Sequence, residues 1–152
     1  MRLSSARMRY KAFMESTARD HLGDNTELIQ EGNHRVDGGH DAMQRILASG
    51  VRPTAVMASN DLTAIGAMGA IAEAGLRVPE DISVVGYDNI QLSAFTMPPL
   101  TTVSLPRAEI ANAAFHALLN AMQSDAPKPV AGEEHTVLPT LVIRKSTGRT
   151  PQ

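Results

Sequence analysis

The segment that decides the fold is VMASND, residues 56–61, in which an apolar run ends at a hydroxyl, an amide and a carboxylate. The residues that follow, from Leu62 to Ala72, carry no charge. A second segment, SVVGYDN at 83–89, has the same form, because its apolar run ends at Tyr87, Asp88 and Asn89. Each segment is typical of a short buried strand that is followed at once by polar residues.

Helices and strands are expected to alternate along the chain. Apolar periodicity, caps and glycine stops predict helices over 5–21, 36–49, 61–74 and 107–122. Short apolar or β-branched runs predict strands over 26–30, 54–58 and 82–86, with extended segments at 136–138 and 141–144. Strands that are continuous apolar runs indicate a parallel sheet covered by helices. The sequence therefore predicts an α/β fold, a parallel sheet flanked by helices.

The polar ends of the two strands indicate a ligand site. In an open parallel sheet, ligands bind beyond the carboxyl ends of the strands. Asn60 and Asp88 offer an amide and a carboxylate that hydrogen-bond to hydroxyl groups, which predicts a small polyhydroxylated or otherwise polar ligand. Helix capping is an alternative, since Asn and Asp are favoured N-cap residues. Capping is the preferred role for Asp61, whereas for Asp88 the two roles are equally supported.

The uncharged helix after Asp61 is apolar nearly all round, which predicts burial on more than one side. One interpretation is a core helix, with Gly66 and Gly69 permitting close packing. The other, which we favour, is a dimer interface. Its residues would be Met68, Ile71, Leu92 and Phe95.

Composition and charge exclude several classes of function. The chain has 152 residues, a formal net charge of −2, no cysteine and 3% aromatic residues. The absence of cysteine excludes disulfides and thiolate ligands and suits the cytoplasm. The basic residues are scattered, so no nucleic-acid surface is predicted. No apolar run is long enough for a membrane helix, and none follows the basic start as a secretory signal requires.

No motif in the sequence predicts catalysis. There is no nucleophile motif and no phosphate-binding glycine loop, and the five histidines lack the spacing of metal ligands. The enzymatic alternative is an acid–base pair formed by Asp61 and Asp88 at the strand ends. We predict instead a binding protein that has no catalytic residue, no cofactor and no metal.

Four segments together resemble a known family. In order they are SND at 59–61, GLRVPEDISVVGYDN at 75–89, PPLTTV at 98–103 and RKST at 144–147. They closely resemble the C-terminal part of the lactose-repressor (LacI/GalR) family of bacterial transcription regulators, and the likeness runs from about residue 5 to residue 147. The family's regulators carry a DNA-binding helix-turn-helix, a hinge helix and a two-lobed effector-binding core like that of periplasmic sugar-binding proteins.

The resemblance implies roles for four residues. Asn60 and Asp88 would contact hydroxyl or equivalent polar groups of the effector. Arg9, in SSARMRYKAF, matches the family's effector-binding arginine, a role that suits the fork of a guanidinium. His34, in EGNHRVDGG, matches a position where the family often places a ring against the ligand. Without the resemblance, Arg9 and His34 would be interpreted as solvated surface residues. The family usually has glycine and an aromatic residue where this chain has Ala-Phe at 12–13.

The resemblance also divides the chain into parts. These are the C-terminal lobe at 1–104, a helix that belongs to the first lobe in relatives at 105–135, return strands at 136–146 and a loose tail at 147–152. The resemblance implies that the DNA-binding segment and most of the first lobe lie outside this sequence. The strand that precedes SSAR in relatives is missing too, and there it lies between the strands predicted at 26–30 and 54–58.

The missing parts predict low stability. Without the shared strand, backbone groups of its two neighbours would stay unpaired. The helix at 107–122 would expose an apolar stripe. Its members are Ile110, Ala114, Leu118 and Met122. We therefore expect a fragment that is marginally stable and prone to associate.

The leading interpretation is the effector-sensing and dimerising portion of a cytoplasmic repressor, with a sugar as the expected effector class. It would act as a homodimer and would reach DNA only through residues absent from this chain. The alternative is a periplasmic sugar-binding protein of the same architecture, which should carry a signal peptide and usually more aromatic residues. Because this chain would hold its ligand from one side only, we expect weak or undetectable binding.

Overall fold

The structure is a computed structural model, which describes residues 4–20, 22, 26–123 and 135–150. It contains helices α1 (Ser4–Arg19), α2 (Val36–Ala48), α3 (Asp61–Glu73) and α4 (Arg107–Gln123). The strands are β1 (Ala55–Met57), β2 (Ser83–Tyr87), β3 (Thr101–Ser104) and β4 (Thr140–Val142). The four predicted helices are confirmed to within a few residues, while His21 lies outside the described residues.

The strands form one sheet in the order β1-β2-β3-β4. β1, β2 and β3 are parallel, and β4 runs antiparallel to β3. Because β1 and β2 are parallel neighbours, in the register Ala55 to Ser83, the residues that follow them leave the sheet at the same edge. The predicted α/β class with a parallel sheet flanked by helices is confirmed.

The core lies where α2 and α3 pack on the sheet. α3 contacts both β2 and α2, and its contact with α2 is the most extensive between described elements. Two glycines permit the close approach of α2 and α3. A Cβ on Gly66 would collide with the carbonyl oxygen of Val36, and a Cβ on Gly39 would collide with the backbone of Thr63. The cluster consists of Met43, Ile46, Ala58, Ala64, Ala67, Met68, Ala70, Ile71, Ile82, Val84 and Leu100.

The core location of α3 corrects part of the predicted dimer interface. Ile71 is fully buried and Met68 is 8% exposed, and both belong to the core cluster. They therefore pack inside this chain and do not face a partner. Leu92 and Phe95 differ, since they are 51% and 76% exposed. For these two residues the predicted interface stays a prediction.

Two predicted extended segments differ in the structure. Residues Thr26–Leu28 form a short 3₁₀ helix and no strand, so the strand predicted at 26–30 is wrong. Of the two return strands, 136–138 has no regular secondary structure and only β4 forms. Among the described residues β1 pairs with β2 alone, which leaves its other edge unpaired. β3 was not predicted, because its residues form no apolar run, and it lies inside the sheet between β2 and β4.

The start of the C-terminal tail is anchored to the sheet, which corrects the prediction of a loose tail. Ser146 is fully buried, and its hydroxyl donates to the carbonyl of Val84 (2.6 Å) and accepts from the amide of Thr101 (2.8 Å). Thr147 bonds to the hydroxyl of Thr101, and Gly148 donates to Ser83. The final residues, 151–152, lie outside the described part of the chain.

Helix α4 exposes its apolar side chains as the sequence predicts. None of its residues, all of which the structure describes, is buried. Leu118 is 61% exposed and Met122 76% exposed, with Ile110 and Ala114 exposed as well. The helix also makes only slight contact with the other described elements.

Candidate functional site

The candidate site lies at the edge where β1 and β2 end. The chain leaves β1 into Ser59 and Asn60, and it leaves β2 into Asp88. Arg9, on α1, joins the two ends: its guanidinium donates to the carbonyl of Ser59 at 2.6 Å and lies 3.8 Å from the carboxylate of Asp88. Residues from three separate segments thus meet at one edge of the sheet.

The Arg9 guanidinium is oriented by an aromatic ring as well as by hydrogen bonding. Its central carbon lies 3.8 Å from the centre of the Tyr87 ring, a cation–π contact. Ring, carbonyl and carboxylate together hold the planar group in one orientation. A guanidinium has five N–H groups, and the Ser59 contact uses only one of its nitrogens. A guanidinium held in this way is suited to a ligand that carries hydroxyl, carbonyl or carboxylate oxygens.

His34 and Asn60 form the other wall of the site. His34 adopts a left-handed backbone conformation, with φ of 62°, and its Nδ1 lies 3.2 Å from the hydroxyl of Ser59. Asn60 is the N-cap of α3: its side-chain oxygen accepts from the amide of Thr63, and its side-chain nitrogen donates to the carbonyl of His34. Asn60 therefore fixes the start of α3 to the His34 loop.

Asp61 has a different role from the predicted cap. It is fully buried, and its carboxylate accepts from the amide of Ile90 (2.8 Å) and from the hydroxyl of Thr102. A side chain at Gly86 would collide with this carboxylate, which explains the glycine there. Asp61 thus ties the start of α3 to the loop after β2, and Asn60 is the cap instead.

Asp88 and Asn89 form a turn with unusual backbone angles. Their φ values are 110° and 49°, in the region that L-residues adopt rarely. The amide of Asp88 donates to the carbonyl of Val103 at 2.9 Å, so β3 holds the turn from one side. Burial raises the pKa of the Asp88 carboxyl above its usual range, while the nearby Arg9 guanidinium lowers it. A strained turn that carries a partly buried carboxyl is typical of a functional site.

Two arginines that the sequence analysis missed flank this turn. Arg107, the first residue of α4, donates to the carbonyl oxygens of both Asp88 and Asn89. Arg144 donates to the side chain of Asn89 at 2.7 Å and to the carbonyl of Leu100 at 2.7 Å. A signal was present for Arg107, because a cation at the start of a helix is opposed by the helix dipole. Arg144 lies in the RKST segment that contributes to the resemblance, but no local pattern marked it as a site residue.

The structure brings together all four predicted effector-binding residues. Arg9, His34 and Asn60 all contact Ser59 or one another, and Asp88 lies beside Arg9. Within the described ranges no group of three acidic, histidine or cysteine side chains is arranged to hold a metal ion. No described helix has the length and apolar character needed to span a bilayer.

Comparison with known proteins identifies the class. The periplasmic binding protein-like domain family matches residues 2–147, so the chain belongs to that family. The likenesses below confirm the more particular resemblance, to the regulators of the lactose-repressor type.

Among curated proteins, the HTH-type transcriptional repressor PurR of Pasteurella multocida (strain Pm70) is 40% identical over 143 residues, which cover 94% of this chain and 42% of the repressor. A sugar-binding transcriptional regulator of the LacI family from Escherichia coli, solved with phosphate, superposes with a TM-score of 0.84 at 29% identity, over 96% of this chain and 51% of that one. The lac repressor dimer bound to operator and the anti-inducer ONPF superposes with a TM-score of 0.79 at 36% sequence identity. The match covers 94% of this chain and 48% of that one. This chain thus spans less than half the length of the curated relative.

Proposed function

We propose that the chain is the effector-sensing portion of a bacterial transcription repressor and that it acts in the cytoplasm without a catalytic role. The ligand-binding residues would be Arg9, His34, Asn60 and Asp88. Regulation would follow if the effector binds two conformations of the whole regulator with different affinity. The periplasmic binding protein is not favoured, because the similar curated proteins are repressors.

The observation that carries this proposal is the arrangement around Arg9. Its guanidinium is held by the Ser59 carbonyl and the Tyr87 ring, yet its side chain is 23% exposed, and that of Asp88 is 36% exposed. A cation and a carboxylate that are fixed in place and still reach solvent offer a donor and an acceptor to one ligand. This pairing suits vicinal hydroxyl groups, which both donate and accept, and therefore supports a sugar as the effector class.

The buried acid of the site supports a binding role over catalysis. An acid–base pair of Asp61 and Asp88 would need both carboxyls to reach a substrate. Asp61 is fully buried and already accepts from Ile90 and Thr102. Asp61 is therefore suited to stabilising the Asp88 turn and not to contacting a substrate.

Weak ligand binding to the full chain can be measured by NMR. Titrations with neutral sugars, sugar acids and nucleosides should shift the amide signals of Ser59, Asn60 and Asp88 for at least one of these classes. We expect millimolar dissociation constants, because the site lies at an open edge of the sheet. Loss of a hydrogen bond to a charged group costs about 1.5–3 kcal/mol, so Asp88→Ala should weaken binding about tenfold or more.

The matched control is Arg52→Gln compared with Arg9→Gln. Arg52 is exposed and precedes β1, at the opposite end of the strand from the site. Arg9→Gln should abolish the ligand-induced shifts, and Arg52→Gln should leave them unchanged. The proposal fails if no class of ligand shifts the site residues, or if the shifts persist in Arg9→Gln and Asp88→Ala.

We also propose that Leu92 and Phe95 form part of a dimer surface. Both side chains lie on or next to the short 3₁₀ helix Gln91–Ala94 and are more than half exposed. Sedimentation equilibrium of the Phe95→Asp chain tests this role. An unchanged association constant would contradict it.

A further inference from the structure

We propose that Arg107 is a positioning residue that holds the Asp88–Asn89 turn in its ligand-binding conformation and ties helix α4 to it. The inference rests on the proposed function, because it assigns the turn a conformation in which Asp88 meets a ligand. It adds a residue that acts on Asp88 through the backbone of the turn.

Arg107 occupies an unfavourable place in its own helix. Arg107 begins α4, where the exposed amide groups carry partial positive charge and favour an acidic side chain. An arginine there does not help the helix. Residues that oppose a local preference are expected at functional sites, and here the side chain is directed to another segment.

The Asp88–Asn89 turn needs hydrogen-bond partners on both of its sides. A turn with positive φ at two consecutive non-glycine residues persists only where its surroundings hold it. Its three amides are held by Val103, Thr102 and Asp61. Arg107 Nη2 donates to both of its carbonyls, those of Asp88 and Asn89. Acceptors thus hold the amides of the turn on one side, and the Arg107 guanidinium holds its carbonyls on the other.

Helix α4 is attached to the rest of the described structure mainly at its first turn. The helix has no buried residue and makes only slight contact with the other described elements. Only Leu105 and Pro106 lie between it and β3. The bonds from Arg107 therefore connect α4 directly to the turn beside Arg9. A shift of the turn on ligand binding would move these bonds and with them the first turn of α4.

The experiment is made on the ligand-free full chain, with the variants Arg107→Gln, Arg107→Lys and the control Arg52→Gln. Two quantities are measured: the amide hydrogen exchange of residues 88–90 and 110, and the pKa of the Asp88 carboxyl by ¹³C NMR titration. Arginine and glutamine have similar helix propensity, so the substitution itself should not unwind α4.

In Arg107→Gln, amide exchange at residues 88–90 should accelerate about tenfold or more, as expected for the loss of charged hydrogen bonds. Exchange of the Ile110 amide, in the first turn of α4, should accelerate as well. The pKa of Asp88 should rise further, because a cation that lowers it is removed. Arg107→Lys should restore most of that pKa by restoring the charge, and Arg52→Gln should change neither quantity.

Three results would overturn the inference. The first is unchanged exchange and an unchanged Asp88 pKa in Arg107→Gln. The second is faster exchange throughout the chain, which would make Arg107 a general stabilising residue. The third is faster exchange in α4 with an unaltered turn. Since no ligand is added, each of these results leaves the proposed effector binding untouched, and the titrations above test that binding separately.

Discussion

Helices α3 and α4 are both rich in apolar residues, yet they lie in opposite environments. Seven of the 13 residues of α3 are buried, whereas none of the 17 residues of α4 is buried. α3 lies against β2 and α2, and its glycines and alanines let the backbones approach closely. α4 has slight contacts and is connected to the site through Arg107. An apolar sequence makes a helix able to pack, but a complementary surface decides whether it does.

The largest expected difference between the two helices is the cost of removing one apolar side chain. Ile71→Ala in α3 should lower the free energy of unfolding by about 2–5 kcal/mol, because the side chain is fully buried in the core. Leu118→Ala in α4 should change it by no more than about 0.5 kcal/mol, because Leu118 is largely exposed. Denaturant unfolding at several protein concentrations measures both values.

Equal losses for the two variants would contradict the different environments of α3 and α4. They would show that α4 is packed in solution, against a second copy or another part of the chain. A loss for Leu118→Ala that appears only at high protein concentration would identify a second copy as the partner.

A smaller difference in the free energy of unfolding is expected between alanine substitutions at two glycines of α3. Gly66→Ala should destabilise the chain by about 1–3 kcal/mol, because the new methyl group meets the backbone of Val36 and His40. Gly69→Ala is the matched control on the same helix. There the methyl group meets only the His40 ring, at an ordinary 3.7 Å, and alanine's higher helix propensity should stabilise by up to about 1 kcal/mol. Thermal unfolding followed by circular dichroism gives the sign of each effect.

The two substitutions therefore test whether α2 and α3 are truly in backbone contact. Stabilisation by both alanines would mean that the helices lie farther apart than the structure shows. Destabilisation by both would mean that Gly69 is covered as well.

The smallest effect concerns a surface ion pair between the same helices. His40 Nε2 lies 2.8 Å from Glu73, and this hydrogen bond raises the pKa of His40 above its usual value, with burial acting in the opposite direction. Asp41 also raises it. A group whose pKa is higher in the folded state stabilises fully below the unfolded pKa, about 6.5, and loses this contribution as the pH rises through the folded pKa.

Stability should therefore fall slightly between about pH 6 and about pH 9, and Glu73→Gln should reduce the fall. Glu109→Gln, an exposed substitution on α4, is the control and should leave the pH dependence unchanged. Chemical denaturation at both pH values measures the difference. A pH dependence that is the same in Glu73→Gln and in the parent chain would exclude this pair as its source.

Much of the site was predictable because its residues follow directly from strand ends. β1 and β2 are short apolar runs, and parallel neighbours must deliver Asn60 and Asp88 to one edge. Arg9 and His34 had no such pattern and came only from the resemblance to a family. The cap was predicted at Asp61 and lies at Asn60, because either residue suits a cap and only the positions of Thr102 and Ile90 distinguish them.

The four helices, the strands β1 and β2 and the edge of the sheet where a ligand would bind can be predicted from the amino-acid sequence, because periodicity, caps and apolar runs act between residues close in the chain. The burial of Met68 and Ile71, the place of β3 inside the sheet and the anchoring of the tail by Ser146 depend on the folded structure. It also placed Arg107 and Arg144 on the Asp88–Asn89 turn. These outcomes depend on partners many residues away, and no local pattern specifies which distant surface a side chain will meet.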